Sequence, residues 1–289
     1  MNYVFARGLL MFVICEDWNF FGFSMKMGVA PGQDHSLGRE CLCYFWFMKY
    51  LTVVAIAPLR KEASDRSEMV SQGLYGEQLE VLEKQERWAL VRLQNDGYEG
   101  WMDTKQFAPL SAGWSGTLLT APITRCSSAN GDSIVLPAGA IVPADVRPEI
   151  PQPGRRGSDE DIMNCAREFL NAPYLWGGRT IMGIDCSGFT QLVMALNGIQ
   201  LPRDAYQQAE LGETVSFLEE TQTGDLAFFD NAEGRIIHVG LILRDASQQG
   251  LVIHASGKVR IDVIDHQGIY NRDSGQYTHQ LRIVKRLKR

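Results

Sequence analysis

From residue 48 onward, short apolar stretches alternate with clusters of turn residues. Residues 51–56 are apolar and β-branched, residues 78–82 alternate apolar with polar, and Trp88–Leu93 is another such run before Asn95-Asp96-Gly97. Gly100-Trp101-Met102 follows. Period-two runs separated by turn signals predict short strands, and this spacing predicts a small β-barrel over 48–110. Residues 111–150 repeat the style in a shorter form, through 116–120, Asn130-Gly131-Asp132, 133–136, Pro137-Ala138-Gly139 and 140–142. Pro148, Pro151, Pro153 and Gly154, then Arg155-Arg156-Gly157, predict a linker over 151–157.

The period changes at 158. Ser158 and Asp159 can cap a helix with Asp161 in its first turn, and Ile162, Ala166, Phe169 and Leu170 share one helical face. Asn171-Ala172-Pro173 ends it. Asp185 predicts the N-cap of a second helix: Phe189, Leu192, Val193 and Leu196 follow at helical spacing, and Gly198 supplies the stop. Thr223-Gly224-Asp225 is a turn leading into an apolar strand over 226–229, and 238–243 and 251–256 read as two more. Helices first and antiparallel strands after predict an α+β domain over 158–289.

Residues 1–47 fit neither period. The run 9–15 follows Arg7 but is cut off by Glu16 and Asp17, is followed by no small-residue cleavage site, and is too short to span a bilayer. The aromatic-rich stretch 41–48 is also short. The expectation is that Met48 is the native start, which makes the protein cytoplasmic; a native 1–47 leaves an exported or envelope form open. No stable membrane insertion is expected.

Composition leaves this picture intact, with 45% hydrophobic and 21% charged residues supplying enough material for a sizeable core. The net charge is −6, and the only basic block is the tail 285–289, so a nucleic-acid partner is not expected. The six cysteines are scattered without a paired Cys-x-x-Cys spacing, which argues against structural zinc and against a disulfide framework. Oligomeric state leaves no signature.

One cysteine has a chemical setting. Cys186 falls in the first turn of the second helix, where free N–H groups and the helix dipole favour a thiolate, although Asp185 beside it opposes this. His238 and His254 lie on neighbouring strand segments, so one can serve as base and the other orient it. Spacing alone leaves a plainer reading open: a small buried cysteine and structural strand histidines.

The wider motif decides between them. Pro173-Tyr-Leu-Trp-Gly-Gly178, Asp185-Cys-Ser-Gly-Phe189, Leu201-Pro-Arg-Asp204, Thr223-Gly-Asp-Leu226, His238-Val-Gly240 and His254-Ala-Ser256 occur in that order. The set resembles the NlpC/p60 family of papain-like cysteine peptidases over essentially all of 158–289. The resemblance implies Cys186 as nucleophile, His238 as general base, His254 as the polar third residue and Tyr174 lining the site. No metal or cofactor is implied. Gly177 and Gly178 let the backbone turn beside the site. Trp176 and Phe189 are expected in the core, Cys165 is expected to be inert, and His266 and His279 are expected to be ordinary surface or loop histidines.

The units at 48–110 and 111–150 resemble bacterial SH3-type domains, through 67–72, 74–77, Trp88-Ala89 and Gly97-Tyr-Glu-Gly-Trp101 in the first. The implied architecture is a papain-like domain behind two small all-β barrels, similar to γ-D-glutamyl-L-diamino-acid endopeptidases. That resemblance implies a murein peptide substrate with a free N-terminal L-Ala. The amine would be read by carboxylates, for which Asp185 and, across the domain boundary, Glu77 are the candidates. Tyr98 and Trp101 would wall the pocket and Ser187 would help hold the peptide. Glu77 as a solvated turn residue, and Tyr98 and Trp101 as barrel core, remain open alternatives. Ala205 stands where many relatives have a substrate-contacting serine. The rival functions are an exported hydrolase of intact peptidoglycan and a catalytically inactive wall-binding protein.

Overall fold

A computed structural model describes residues 5–6, 9–10, 49–128, 130–244 and 250–288. The expectation for 1–47 lies outside these, apart from a ladder pairing Phe5–Ala6 with Leu9–Leu10. The first sheet contains β1 (Lys49–Thr52), β2 (Ile56–Arg60), β3 (Met69–Leu74), β4 (Gln78–Lys84), β5 (Trp88–Leu93), β6 (Glu99–Asp103) and β7 (Phe107–Pro109). Its antiparallel order is β3-β2-β6-β5-β4-β1-β7. The apolar run 51–56 feeds two strands instead of one. Thr52 exchanges backbone hydrogen bonds with Gly76 and Glu77, the chain bends, and Ile56 opens β2. Alternation sends Ala57, Leu59, Leu79, Ala89, Val91, Leu93 and Met102 into one core. Asn95-Asp96-Gly97 makes the β5–β6 turn, with Gly97 at φ +72° and the Tyr98 N–H donating to Asp96 Oδ1 at 3.0 Å.

Between 116 and 148, five short strands form a two-stranded and a three-stranded sheet around Leu119, Cys126, Leu136, Ala140 and Val142. The segment that follows is tied back onto them, since Gln152 Oε1 accepts from the N–H groups of Thr120 and Ala121.

Helix α1 (Asp159–Arg167) starts with a reciprocal capping box between Ser158 and Asp161. It ends before Leu170, which is exposed although periodicity placed it on the buried face; Asn171 at φ +67° redirects the chain. Helix α2 (Cys186–Leu196) is capped by Asp185, and α3 (Ala205–Gln208) is a single turn. The second large sheet contains β8 (Glu213–Val215), β9 (Leu226–Asp230), β10 (Ile236–Arg244), β11 (Gly250–Ser256), β12 (Lys258–Asp265), β13 (Gly268–Asn271) and β14 (Gln276–Arg286). Its order is β8-β14-β9-β10-β11-β12-β13, and β13 pairs back onto β14. All strands except the flanking β8 thus close into a barrel. Ala227, Phe229, Ile242, Val252, Ile264 and Ile269 fill one face. Phe228, Leu241, Leu243, Ile253 and Ala255 pack on the other with α1 and α2. Strands buried on both faces read as continuous apolar runs, which is why 226–229, 238–243 and 251–256 were legible. The later strands carry Arg260, Asp262, Asp265, His279 and Arg282 among their apolar residues and gave no such signal.

No helix among the described residues is long and apolar enough to cross a membrane.

Candidate active site

Cys186 is the first residue of α2 and is buried at 6% exposure. The Asp185 carboxylate accepts the Gly188 N–H at 2.7 Å and so fixes the first turn. Burial, and then Asp185, push the Cys186 thiol up to about 12; the backbone N–H groups of Val239 and Ser187 and the Arg203 charge offset this only in part. The Val239 contact sets the sulfur against β10, one residue from His238.

His238 and His254 are brought together. His254 stands opposite Gly240, so the two histidines are diagonal neighbours on β10 and β11. Their rings are 5.0 Å apart at 85°, and His238 Nε2 lies 2.8 Å from His254 Nδ1. A side chain at Gly240 would approach the His254 Cβ to 3.0 Å, so glycine leaves the space in which they meet. The series continues beyond the motif. His254 Nε2 lies 3.1 Å from Asp262 Oδ2, and Arg260 grips the same carboxylate with Nε at 2.6 Å and a terminal nitrogen at 3.0 Å. Burial raises the Asp262 carboxyl, but hydrogen bonds from His254 and Arg260 outweigh it and hold it at about 2.

His279 corrects an expectation. It is not an ordinary loop histidine: it lies on β14 and stacks on His238, with centroids 4.1 Å apart at 24°. Burial, then His254, lowers it to about 4. His266 is exposed beside Glu219, as expected of a surface histidine. Tyr174 is half-buried, and burial followed by the Cys186 charge raises its phenol to about 12. Tyr174, His238, Ser256, Gly257 and His279 line a cavity of about 280 Å³. A larger one, about 460 Å³, lies between α1 and Thr221–Thr223 and holds no nucleophile.

Burial, then His254 and His279, keep His238 well below the usual histidine range. Burial is thus the first cause at both groups, and it disfavours the charged form of each. Alkylation of Cys186 by iodoacetamide, read by peptide mapping, is expected to keep rising from about pH 6 to about pH 9. A rate already flat over that window would indicate a resting thiolate–imidazolium pair instead.

The two expected amine-reading carboxylates are both engaged elsewhere. Asp185 accepts from Gly177 N–H at 2.8 Å, from Gly188, and from Arg203 through two nitrogens at 3.0 and 2.6 Å. Arg203 is 2% exposed and also donates to Ser71 Oγ of β3 and Ser187 Oγ. Ser187 therefore spends its hydroxyl on this cluster. Glu77 is not a solvated turn residue either. It is 1% exposed, forms a two-point pair with Arg179 at 3.0 and 2.9 Å, and accepts from Leu74 N–H and Asn95. A carboxylate saturated by a buried guanidinium has no vacant position for a substrate ammonium. The sequence held one clue: an expected buried carboxylate needs a cation, and Arg203 and Arg179 stand inside and directly after the quoted motifs.

Tyr98 packs against the first-sheet core, and burial, then the Asp204 charge, raises its phenol to about 12. Asp204 is half-buried and its carboxyl is raised by burial, with Arg203 opposing. Asp96 is held nearby by Gln191 Nε2 at 2.9 Å. Trp101 stays within the first sheet, opposite Leu90 and beside Arg60. Trp176, expected in the core, is 59% exposed and donates to Glu68 Oε1 at 2.7 Å. Phe189 is fully buried, as is Cys165, whose thiol burial raises to about 12. Gly177 has φ +76°, and a side chain there would come within 2.6 Å of the Met69 carbonyl. Among the described residues no group of His, Cys, Asp and Glu is arranged to hold a metal ion.

The NlpC/P60 family profile matches residues 171–278, and the bacterial dipeptidyl-peptidase SH3 domain profile matches 59–107. The gamma-D-glutamyl-L-lysine dipeptidyl-peptidase of Bacillus subtilis (strain 168) is 32% identical, over 59% of this chain and 68% of its own length. The protein of the same name from Bacillus cereus (strain ATCC 10987 / NRS 248) is 28% identical, over 66% of this chain and 68% of its own. The crystal structure of an NlpC/P60 family protein from Bacillus cereus ATCC 10987 superposes with a TM-score of 0.66 at 22% identity, covering 82% of this chain and 99% of that one.

Proposed function

The chain belongs to the NlpC/P60 family and is a cysteine peptidase, and from that premise we propose that it hydrolyses the γ-D-glutamyl–diamino acid bond of murein peptides carrying a free N-terminal L-Ala. Two relatives bear the name gamma-D-glutamyl-L-lysine dipeptidyl-peptidase. Releasing a dipeptide from the amino end requires a site that measures distance from a free amine. The observation that carries the reading here is Asp204, a half-buried carboxylate whose charge acts on Tyr98 of the first sheet. Burial raises its carboxyl, and a substrate ammonium would relieve that cost. In this reading Asp204 replaces Glu77 and Asp185 as the reader of the amine.

The chemistry follows from the tautomers. Asp262 accepts the His254 Nε2–H, His254 Nδ1 then accepts the His238 Nε2–H, and His238 Nδ1 is left with a lone pair. As the Cys186 sulfur attacks the γ-carbonyl, its proton passes to His238. The Cys186 N–H at the helix start donates to the developing oxyanion. Imidazolium His238 protonates the departing diamino-acid amine, leaving a thioester, and water deprotonated by His238 hydrolyses it.

The test uses L-Ala-γ-D-Glu-L-Lys and its meso-diaminopimelate counterpart, each with and without N-acetylation, alongside intact sacculi. Release of the diamino acid from the unblocked peptides alone is expected. Asp204→Asn should raise KM for them on the order of 10–100-fold with kcat nearly unchanged. Equal cleavage of the acetylated peptide, or release from sacculi, would overturn the reading in favour of a wall hydrolase.

A further inference from the structure

We infer that Asp262 is a positioning residue for catalysis: it sets the tautomer of His254 and, through it, that of His238. The geometry is a single line of hydrogen bonds across three adjacent strands. Asp262 faces Val252, and His254 faces Arg260, so Asp262 and His254 are diagonal neighbours on β12 and β11, as His254 and His238 are on β11 and β10. Asp262 and His254 are each 1% exposed and His238 is 5% exposed, so water does not compete for these contacts.

A neutral imidazole has one donor and one acceptor nitrogen, and an ionised carboxylate only accepts. Asp262 therefore fixes the proton of His254 on Nε2. That leaves Nδ1 as acceptor, which fixes the proton of His238 on Nε2 and leaves the lone pair that can take the thiol proton on its Nδ1. Without Asp262 each ring can take the other tautomer, and a His238 carrying its proton on Nδ1 cannot accept one from sulfur. Arg260 meets both carboxylate oxygens and has Asp273 and Asn271 as its own further partners.

The competing view is that Asp262 and Arg260 form a structural ion pair and nothing more. Breaking the pair from either side distinguishes the two. Arg260→Met leaves the Asp262–His254 contact in place, whereas Asp262→Ala removes it. Two-bond ¹H–¹⁵N spectra of the imidazoles report tautomers without any substrate, so this test stands whether or not the proposed peptide is the right one. Both histidines should show Nε2–H in the unmodified protein and in Arg260→Met, and mixed signals in Asp262→Ala. For whichever peptide is cleaved, kcat should fall on the order of 10–100-fold in Asp262→Ala with KM little changed, and less than about threefold in Arg260→Met. If Asp262→Ala does not fold, Asp262→Asn carries the same comparison at nearly constant volume. Unchanged tautomers in the Asp262 variant, or equal loss of kcat in both, would overturn the inference.

Discussion

Replacing Cys186 by alanine is expected to lower kcat/KM by at least about 10⁴-fold while the protein remains folded. No other group occupies the position from which the sulfur attacks, so water would have to do so without activation. The residual rate would come from binding and oxyanion stabilisation alone. The fold should tolerate the change because only one buried sulfur atom is lost, from a helix whose start is fixed by Asp185 and not by the thiol. Peptide hydrolysis and circular dichroism, measured on the same preparation, check both halves. Retained turnover would remove the assignment of the nucleophile.

Glu77→Ala is expected to destabilise the protein by about 3–5 kcal/mol, because it leaves the Arg179 guanidinium buried without its counter-charge. On a chain of this size that corresponds to a fall in Tm of on the order of 10 °C. Burial alone would push Arg179 down; Glu77 outweighs it, and Arg179 additionally donates to the Gln72 carbonyl of the first sheet at 2.5 Å. The double variant Glu77→Ala, Arg179→Met should recover much of the loss, since an apolar pair removes the stranded charge. Had Glu77 been the reader of the amine, the single variant would instead raise KM and leave the melting temperature where it was. Thermal melts of the single and double variants beside Michaelis kinetics separate the two.

These two residues mark how far the sequence could be read. The local pattern placed Cys186 at a helix start and His238 and His254 on adjacent strands, but spacing alone left a plainer reading open, and it was the ordered set of motifs that pointed to catalysis. The apolar runs of β9–β11 were legible because both their faces are buried. Asp262 and His279 were not, since they sit on strands whose polar residues mask the period and lie outside any quoted motif. Glu77 and Asp185 were recognised as carboxylates near the site, but their guanidinium partners were not. Their guanidiniums come from residues distant along the chain, 102 positions for Glu77–Arg179 and 18 for Asp185–Arg203. No periodicity encodes such a pairing.

The Gly177 turn has a consequence for how this protein could be rebuilt. Its backbone is moulded against the Met69 carbonyl of β3, while Arg203 reaches Ser71 and Arg179 reaches Gln72 on the same strand. A strand that would otherwise be an open edge is therefore the casting surface for the loop leading to the nucleophile. An SH3 unit of this kind cannot be exchanged as a bead on a string. A recombinant chimera inherits a competent site only if the donor strand repeats the spacing of Met69, Ser71 and Gln72, so shuffling at this junction is constrained atom by atom and not merely by linker length.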